Sequence, residues 1–268
     1  MTTLRIGDVT LTRVSYAEVD IAPQQVGLTP EEVAGAGAPA EWANGDKPRA
    51  SASAWIIDTG DARVVVDPAG AVDAILRNDN DAAAHQQAFA TLLADAGYPR
   101  ETITHAVATH LDGVGMLAWR DDDGSWVPFF PNAPIVMTQT ELDGIDALPF
   151  EPPGRKVLAQ LQDAGAVRGV ADDEEITTGV SFELTAGHSP GHAVVRIRSG
   201  DEQAVMLGHL ALTPLNLVVQ KDANHVQGAM ANARLRALLE EDAVFIGPLW
   251  PAPAAGRWNG KELVPLSP

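Results

Sequence analysis

The sequence predicts an α/β fold of two packed sheets with helices on the outside. Three observations predict it. Short apolar runs of strand length recur in both halves of the chain, helical stretches fall between them, and no linker divides the 268 residues. That length is ordinary for one two-layer α/β domain, and 46% hydrophobic residues are enough for a sizeable core. We therefore treat residues 1–268 as one domain.

The elements follow in order. Leu4 to Tyr16 alternates around Gly7-Asp8 and predicts a hairpin. Residues 17–50 carry Pro23, Pro30, Pro39 and Pro48 and predict an irregular insertion of the kind that forms a lid or pocket wall. Within it, Thr29-Pro30-Glu31-Glu32 signals a short helix, with Thr29 as its cap. A second hairpin joins 52–58 to 62–67, with Val64-Val65-Val66 as a buried strand. Residues 82–97 predict a helix closed near Gly97. A central strand, 103–107, then opens into Thr109-His110-Leu111-Asp112-Gly113-Val114-Gly115. Residues 121–132 form a polar and aromatic excursion. Ile135-Val136-Met137 is a strand, and 141–148 and 154–164 are helical. The second half offers strands at 180–185, 193–197, 204–207 and 243–246. Between the last two lies an amphipathic helix at 226–241 with Met230, Leu235, Leu238 and Leu239.

Composition excludes whole classes of function. Lys+Arg number 18 against 36 Asp+Glu, a net charge of -18. A field of that sign repels nucleic acid and anionic membrane surfaces. With no cysteine, disulfides, thiolate metal sites and cysteine nucleophiles are ruled out. Neither a signal-peptide pattern at Met1-Thr2-Thr3-Leu4-Arg5-Ile6 nor an apolar run of membrane-spanning length is present. The expectation is a cytoplasmic protein acting on a small molecule, with a homodimer compatible with its size. No phosphate-cradling glycine loop, nucleotide fingerprint or serine-nucleophile elbow occurs.

Of seven histidines, those at 110, 188, 192 and 209 fall at a strand end or in the loop after one. Imidazoles from three loops at one end of a sandwich can converge on one point. Catalytic zinc sites are commonly built from His and carboxylate with one position left open, and a metal there makes a nucleophile of water at neutral pH. His85, in a polar helical stretch, is expected at the surface. His105 is expected within a strand, and His225 near a helix start.

The series Val-Val-Val-Asp-Pro-Ala-Gly, Thr-His-Leu, Thr-Ala-Gly-His-Ser-Pro-Gly-His, Leu-Gly-His and Pro-Ala-Pro-Ala-Ala-Gly-Arg resembles the metallo-β-lactamase-fold superfamily, nearest its lactonase-like and esterase-like hydrolases. The excursion Asp-Gly-Ser-Trp-Val-Pro-Phe-Phe-Pro-Asn-Ala at 123–133 is typical of that branch. The resemblance implies a four-layer αββα sandwich with its site along one edge. It also implies roles: His110 and His188 as metal ligands, with Asp67 and His192 beside the site. The departures are equally specific. The family's His-x-His-x-Asp-His keeps only its first His, as His110. Asp112 matches either the second His or, with a two-residue gap, the family Asp. His209 stands where a bridging Asp is expected, and Leu249 where the last His is expected.

What remains is His110, Asp112, His188 and His209, a donor set suited to one zinc or iron ion. Hydrolysis of an ester or lactone is the default reaction. Two alternatives stay open. Without a metal, the same histidines serve as acids and bases in a lyase, cyclase or isomerase, because their pKa of about 6.5 suits neutral pH. With no chemistry at all, the chain is a ligand-binding protein. Pocket walls are expected from Trp42, Met116, Trp119, Trp126, Phe129, Phe130, Leu249 and Trp250.

Overall fold

In the computed structural model, the first half of the chain supplies β1 (Thr2–Ile6), β2 (Val9–Asp20), α1 (Pro30–Gly35), β3 (Ala43–Asn44), β4 (Lys47–Asp58), β5 (Arg63–Val66), α2 (Asp79–Asp95) and β6 (His105–Val107). It continues with β7 (Ala118–Arg120), β8 (Trp126–Pro128), β9 (Ile135–Thr138), α3 (Gln139–Gly144), α4 (Arg155–Asp163) and β10 (Val167–Val170). The second half supplies β11 (Glu175–Thr177), β12 (Val180–Leu184), β13 (Ala193–Ser199), β14 (Glu202–Met206), α5 (Pro214–Val219), α6 (Gly228–Leu238), β15 (Val244–Ile246), β16 (Ala255–Trp258) and β17 (Leu263–Pro265). The structure describes residues 1–68, 79–111, 116–121, 123–145, 154–221 and 227–266, with the backbone alone for 79–83. His225 and the Asp112 loop lie outside the described residues.

Two mixed sheets form the middle layers. The first runs β1-β2-β4-β5-β6-β9-β10, with β3 added to β4, and the second runs β11-β12-β13-β14-β15-β16-β17. Alternation along the strands divides the core. Trp55, Ile57, Val64, Val66 and Val107 turn inward to meet Phe182, Val195, Ile197, Ala204 and Met206 of the second sheet. Their neighbours Ala54, Ile56, Val65 and Ala106 turn outward, under Phe89 and Leu93 of α2 and Val157, Leu158 and Leu161 of α4. On the far side, α6 lays Ala231, Leu235 and Leu238 against the second sheet. The result is helix, sheet, sheet, helix.

Several expectations change in detail. β2 runs on to Asp20 and β4 begins at Lys47, so both ends of the 17–50 insertion are paired strand and the irregular part is shorter. A register shift between Ser15 and Ala17 lets the ladder continue past the point where the alternation breaks. Thr29 caps α1 as expected, in a reciprocal box with Glu32. The 121–132 excursion is largely a hairpin, β7 paired with β8, because Asp121 Oδ1 accepts the Asp123 and Ser125 amides and turns the chain. Met230 is 44% exposed, off the buried face of α6. β10, β11 and the β16–β17 hairpin have no counterpart in the sequence reading.

A partly buried ion pair ties the second sheet together. Arg196 on β13 donates to Glu183 at 2.7 Å and holds both carboxylate oxygens of Glu241. That hydrogen-bonding arginine holds the Glu241 carboxyl below its usual 4.5. A depressed carboxyl pKa stabilises the fold fully above the ordinary value, and the stabilisation is lost as pH falls through the lowered one. The difference in urea midpoint between wild type and Arg196→Met should therefore be largest at neutral pH and shrink as pH falls below the ordinary carboxylate range. A gap that stays constant as the pH is lowered would remove this account.

Candidate functional site

β5, β6 and β9 run parallel, so their carboxyl ends share one edge of the first sheet. Asp67 directly follows β5, Thr109 and His110 follow β6, and Glu141 comes just after β9. In the second sheet β14 and β15 are parallel as well. His209 follows the first of these, and Leu249 and Trp250 follow the second. The turn from β12 into β13 adds His188 and His192.

These loops bring four imidazoles into contact. The His110 ring centre lies 4.2 Å from His209, 5.0 Å from His188 and 5.4 Å from His192. One nitrogen from each of His110, His188 and His209 can be chosen so that all three lie within 4.8 Å of one another. His110 and His188 are buried and His209 is half-buried. Asp112, the expected carboxylate donor, lies outside the described residues.

Two of the rings, His110 and His192, are held from behind by threonine hydroxyls. Asp67, 2% exposed, accepts the Thr109 amide at 2.8 Å and the Thr109 hydroxyl at 2.6 Å. That hydroxyl has one proton, already given to Asp67. Its contact with His110 Nδ1 at 3.1 Å must then run from ring N–H to oxygen. The His110 tautomer follows: Nδ1 carries the proton, and the buried Nε2, on the ring side away from Thr109, keeps its lone pair. The Thr109 carbonyl also accepts the Ala193 amide, which couples the His110 loop to the second sheet. His192 Nδ1 contacts the Thr185 hydroxyl at 2.8 Å, and burial, with His188 and His110 alongside, pushes its pKa well down. Gly208 makes this packing feasible. Its φ is +55°, and a Cβ there would stand 2.7 Å from both His192 Nε2 and Thr109 Oγ1.

Glu141 was not singled out from the sequence. It is 1% exposed, and its carboxylate accepts the Leu111 amide at 3.0 Å, the Gly191 amide at 2.8 Å and the Ser189 hydroxyl at 2.7 Å. A capping helix start in the sequence, Thr138 three residues before Glu141, was the available signal. It points to a helix cap and not to a site.

The residues expected to wall a pocket are mostly packed inside. Trp42 and Trp250 belong to the core between the sheets, and Met116, Phe129 and Phe130 to the cluster outside the first sheet. The Trp250 indole donates to the Ala211 carbonyl at 2.8 Å. Trp119 and Trp126 are half-buried, under the guanidinium groups of Arg100 and Arg120 respectively. Leu249 is half-buried against the core. His85 is exposed and His105 lies in β6, as expected.

No family model matches the sequence, and no curated protein matches it. Solved structures do. The hydrolase AbOPH of the beta-lactamase superfamily superposes with a TM-score of 0.79 at 18% identity, over 99% of this chain and 97% of that one. A probable metal-dependent hydrolase from Staphylococcus aureus gives 0.76 at 16% identity, over 97% and 96%. AidC, a dizinc quorum-quenching lactonase, gives 0.71 at 17% identity, over 99% and 97%. The chain has the metallo-β-lactamase fold.

The Asp67–Thr109–His110 chain makes a sharp expectation. Thr109→Val keeps the side-chain shape but takes a hydroxyl from a buried carboxylate and an acceptor from His110 Nδ1. Stability should fall by about 1–3 kcal/mol, read from urea unfolding. A loss under about 0.5 kcal/mol, the range of surface substitutions, would show that the hydroxyl is dispensable.

Proposed function

We propose that this fold holds one divalent metal ion on His110, His188 and His209 and hydrolyses an ester or lactone of a small organic molecule. The observation that carries the reading is the mutual approach of the three ligand nitrogens, within 4.8 Å. The donor chemistry fits. Three imidazoles with an open fourth position make a known form of catalytic zinc site. The tautomer of His110 fits too, since the nitrogen away from Thr109 is the one left to coordinate.

A metal held there supplies Lewis acidity toward a substrate carbonyl. The rest falls to the chain. Asp67, acting through Thr109, fixes the His110 ring and keeps its coordinating nitrogen deprotonated. His192, neutral and buried, fills the space behind Gly208 without adding positive charge beside the ligands. Leu249 offers no donor at the loop after β15, so the described residues favour one ion over two. The overall charge of -18 disfavours polyanionic substrates and suits a small neutral one.

Elemental mass spectrometry of protein purified without a metal-affinity tag tests the reading first. About one zinc or iron per chain is expected, with His188→Ala losing it. Ester or lactone turnover should stop on chelation and return with zinc. Absence of bound metal after incubation with zinc would overturn the proposal, as would turnover that survives exhaustive chelation.

A further inference from the structure

We infer that Glu141 is a positioning residue that sets the separation between the His110 loop and the His188–His192 turn. Its effect on metal affinity rests on the function proposed above, but the brace itself does not. All three partners of the carboxylate are donors, and each lies one residue from a cluster histidine. Leu111 follows His110, Ser189 follows His188, and Gly191 precedes His192. Among the described residues no basic side chain forms an ion pair with it, so its bonds go only to the two loops.

The backbone around Glu141 enforces the same spacing. Thr138 Oγ1 donates to the Gly191 carbonyl at 2.7 Å and accepts the Glu141 amide at 3.1 Å. A Cβ on Gly191 would stand 2.0 Å from the Glu141 nitrogen, and one on Gly144 would stand 2.4 Å from Pro190 Cβ. The start of α3 thus lies directly against the 188–192 turn. One carboxylate from the first sheet then clamps a loop of each sheet, and the His110 and His188 rings meet at 5.0 Å.

Glu141→Gln is nearly isosteric, yet it cannot reproduce this arrangement. Oε1 and Oε2 each accept a backbone N–H, so the amide NH2 must face either Leu111 N–H or Gly191 N–H. The first readout is histidine-ring nitrogen NMR of metal-free protein. We expect the His110 and His188 ring signals to shift while those of exposed His85 stay in place. The second is zinc affinity by chelator competition, expected to fall roughly 10–100-fold. Ser189→Ala, which keeps both backbone donors, should shift the His188 signal and weaken zinc less. Unchanged ring signals in Glu141→Gln would reduce Glu141 to a fold-stabilising residue and overturn the inference. If Glu141→Gln does not fold, an unmoved His188 signal in Ser189→Ala overturns it instead. A wild type that binds no zinc defeats the metal reading alone, because the ring signals still decide the brace.

Discussion

A carboxylate taken out of water costs several kcal/mol unless donors replace its hydration. This fold buries two of them where its sheets meet, Asp67 at 2% exposure and Glu141 at 1%. Both are answered by backbone amides and hydroxyls of the loops that carry histidines. Asp67 takes both Thr109 donors, and Glu141 takes Leu111, Ser189 and Gly191. These loops cannot relax away from one another without stranding a buried charge. The cost of burial is thereby converted into a fixed geometry for the imidazoles.

Parallel pairing explains why the carboxylates lie where they do. β5, β6 and β9 all point the same way, so the residues that leave their ends arrive together. The second sheet repeats the device with β14 and β15, and the turn into β13 closes the gap. The Thr109 carbonyl, accepting the Ala193 amide, is one stitch between the two edges. Ligands in open α/β sheets gather outside the carboxyl ends of strands, and the histidine cluster obeys that rule.

Much of this was legible in the sequence because it is local. Val64-Val65-Val66 followed by Asp67, the central strand before His110, and the glycine-rich turn holding His188 and His192 are each short patterns with one physical reading. Glu141 was not legible, because its partners are 30 to 50 residues away, and it takes the β6–β9 pairing together with docking of the second sheet to bring them near. β10 was missed for a related reason. Val167–Val170 is too short and too interrupted by Arg168 and Gly169 to signal a strand, and it forms because β9 offers it a parallel ladder. Met230 failed in the opposite sense. Hydrophobicity suggested a buried position, but the face of α6 is set by Ala231, Leu235 and Leu238.

The loop after β15 is docked through its backbone. Four successive carbonyls there are held by the first sheet. Gly247 O accepts Trp55 Nε1, Pro248 O accepts Ser53 Oγ, Leu249 O accepts the Ser51 amide, and Trp250 O accepts Arg13 Nη2. Every one of these bonds uses the backbone of the loop. The path of the chain past residue 249 is therefore independent of the side chain at that position. A substitution at 249 therefore leaves in place the four bonds that dock the loop. His110 is different in kind. Its ring is tied by Nδ1 to Thr109 and through it to Asp67, so replacing it leaves buried polar groups behind. Positions whose side chains carry the bracing are costly to change, whereas positions braced by backbone alone are free to vary. On that division His110 is the costlier of the two positions to change and Leu249 the freer.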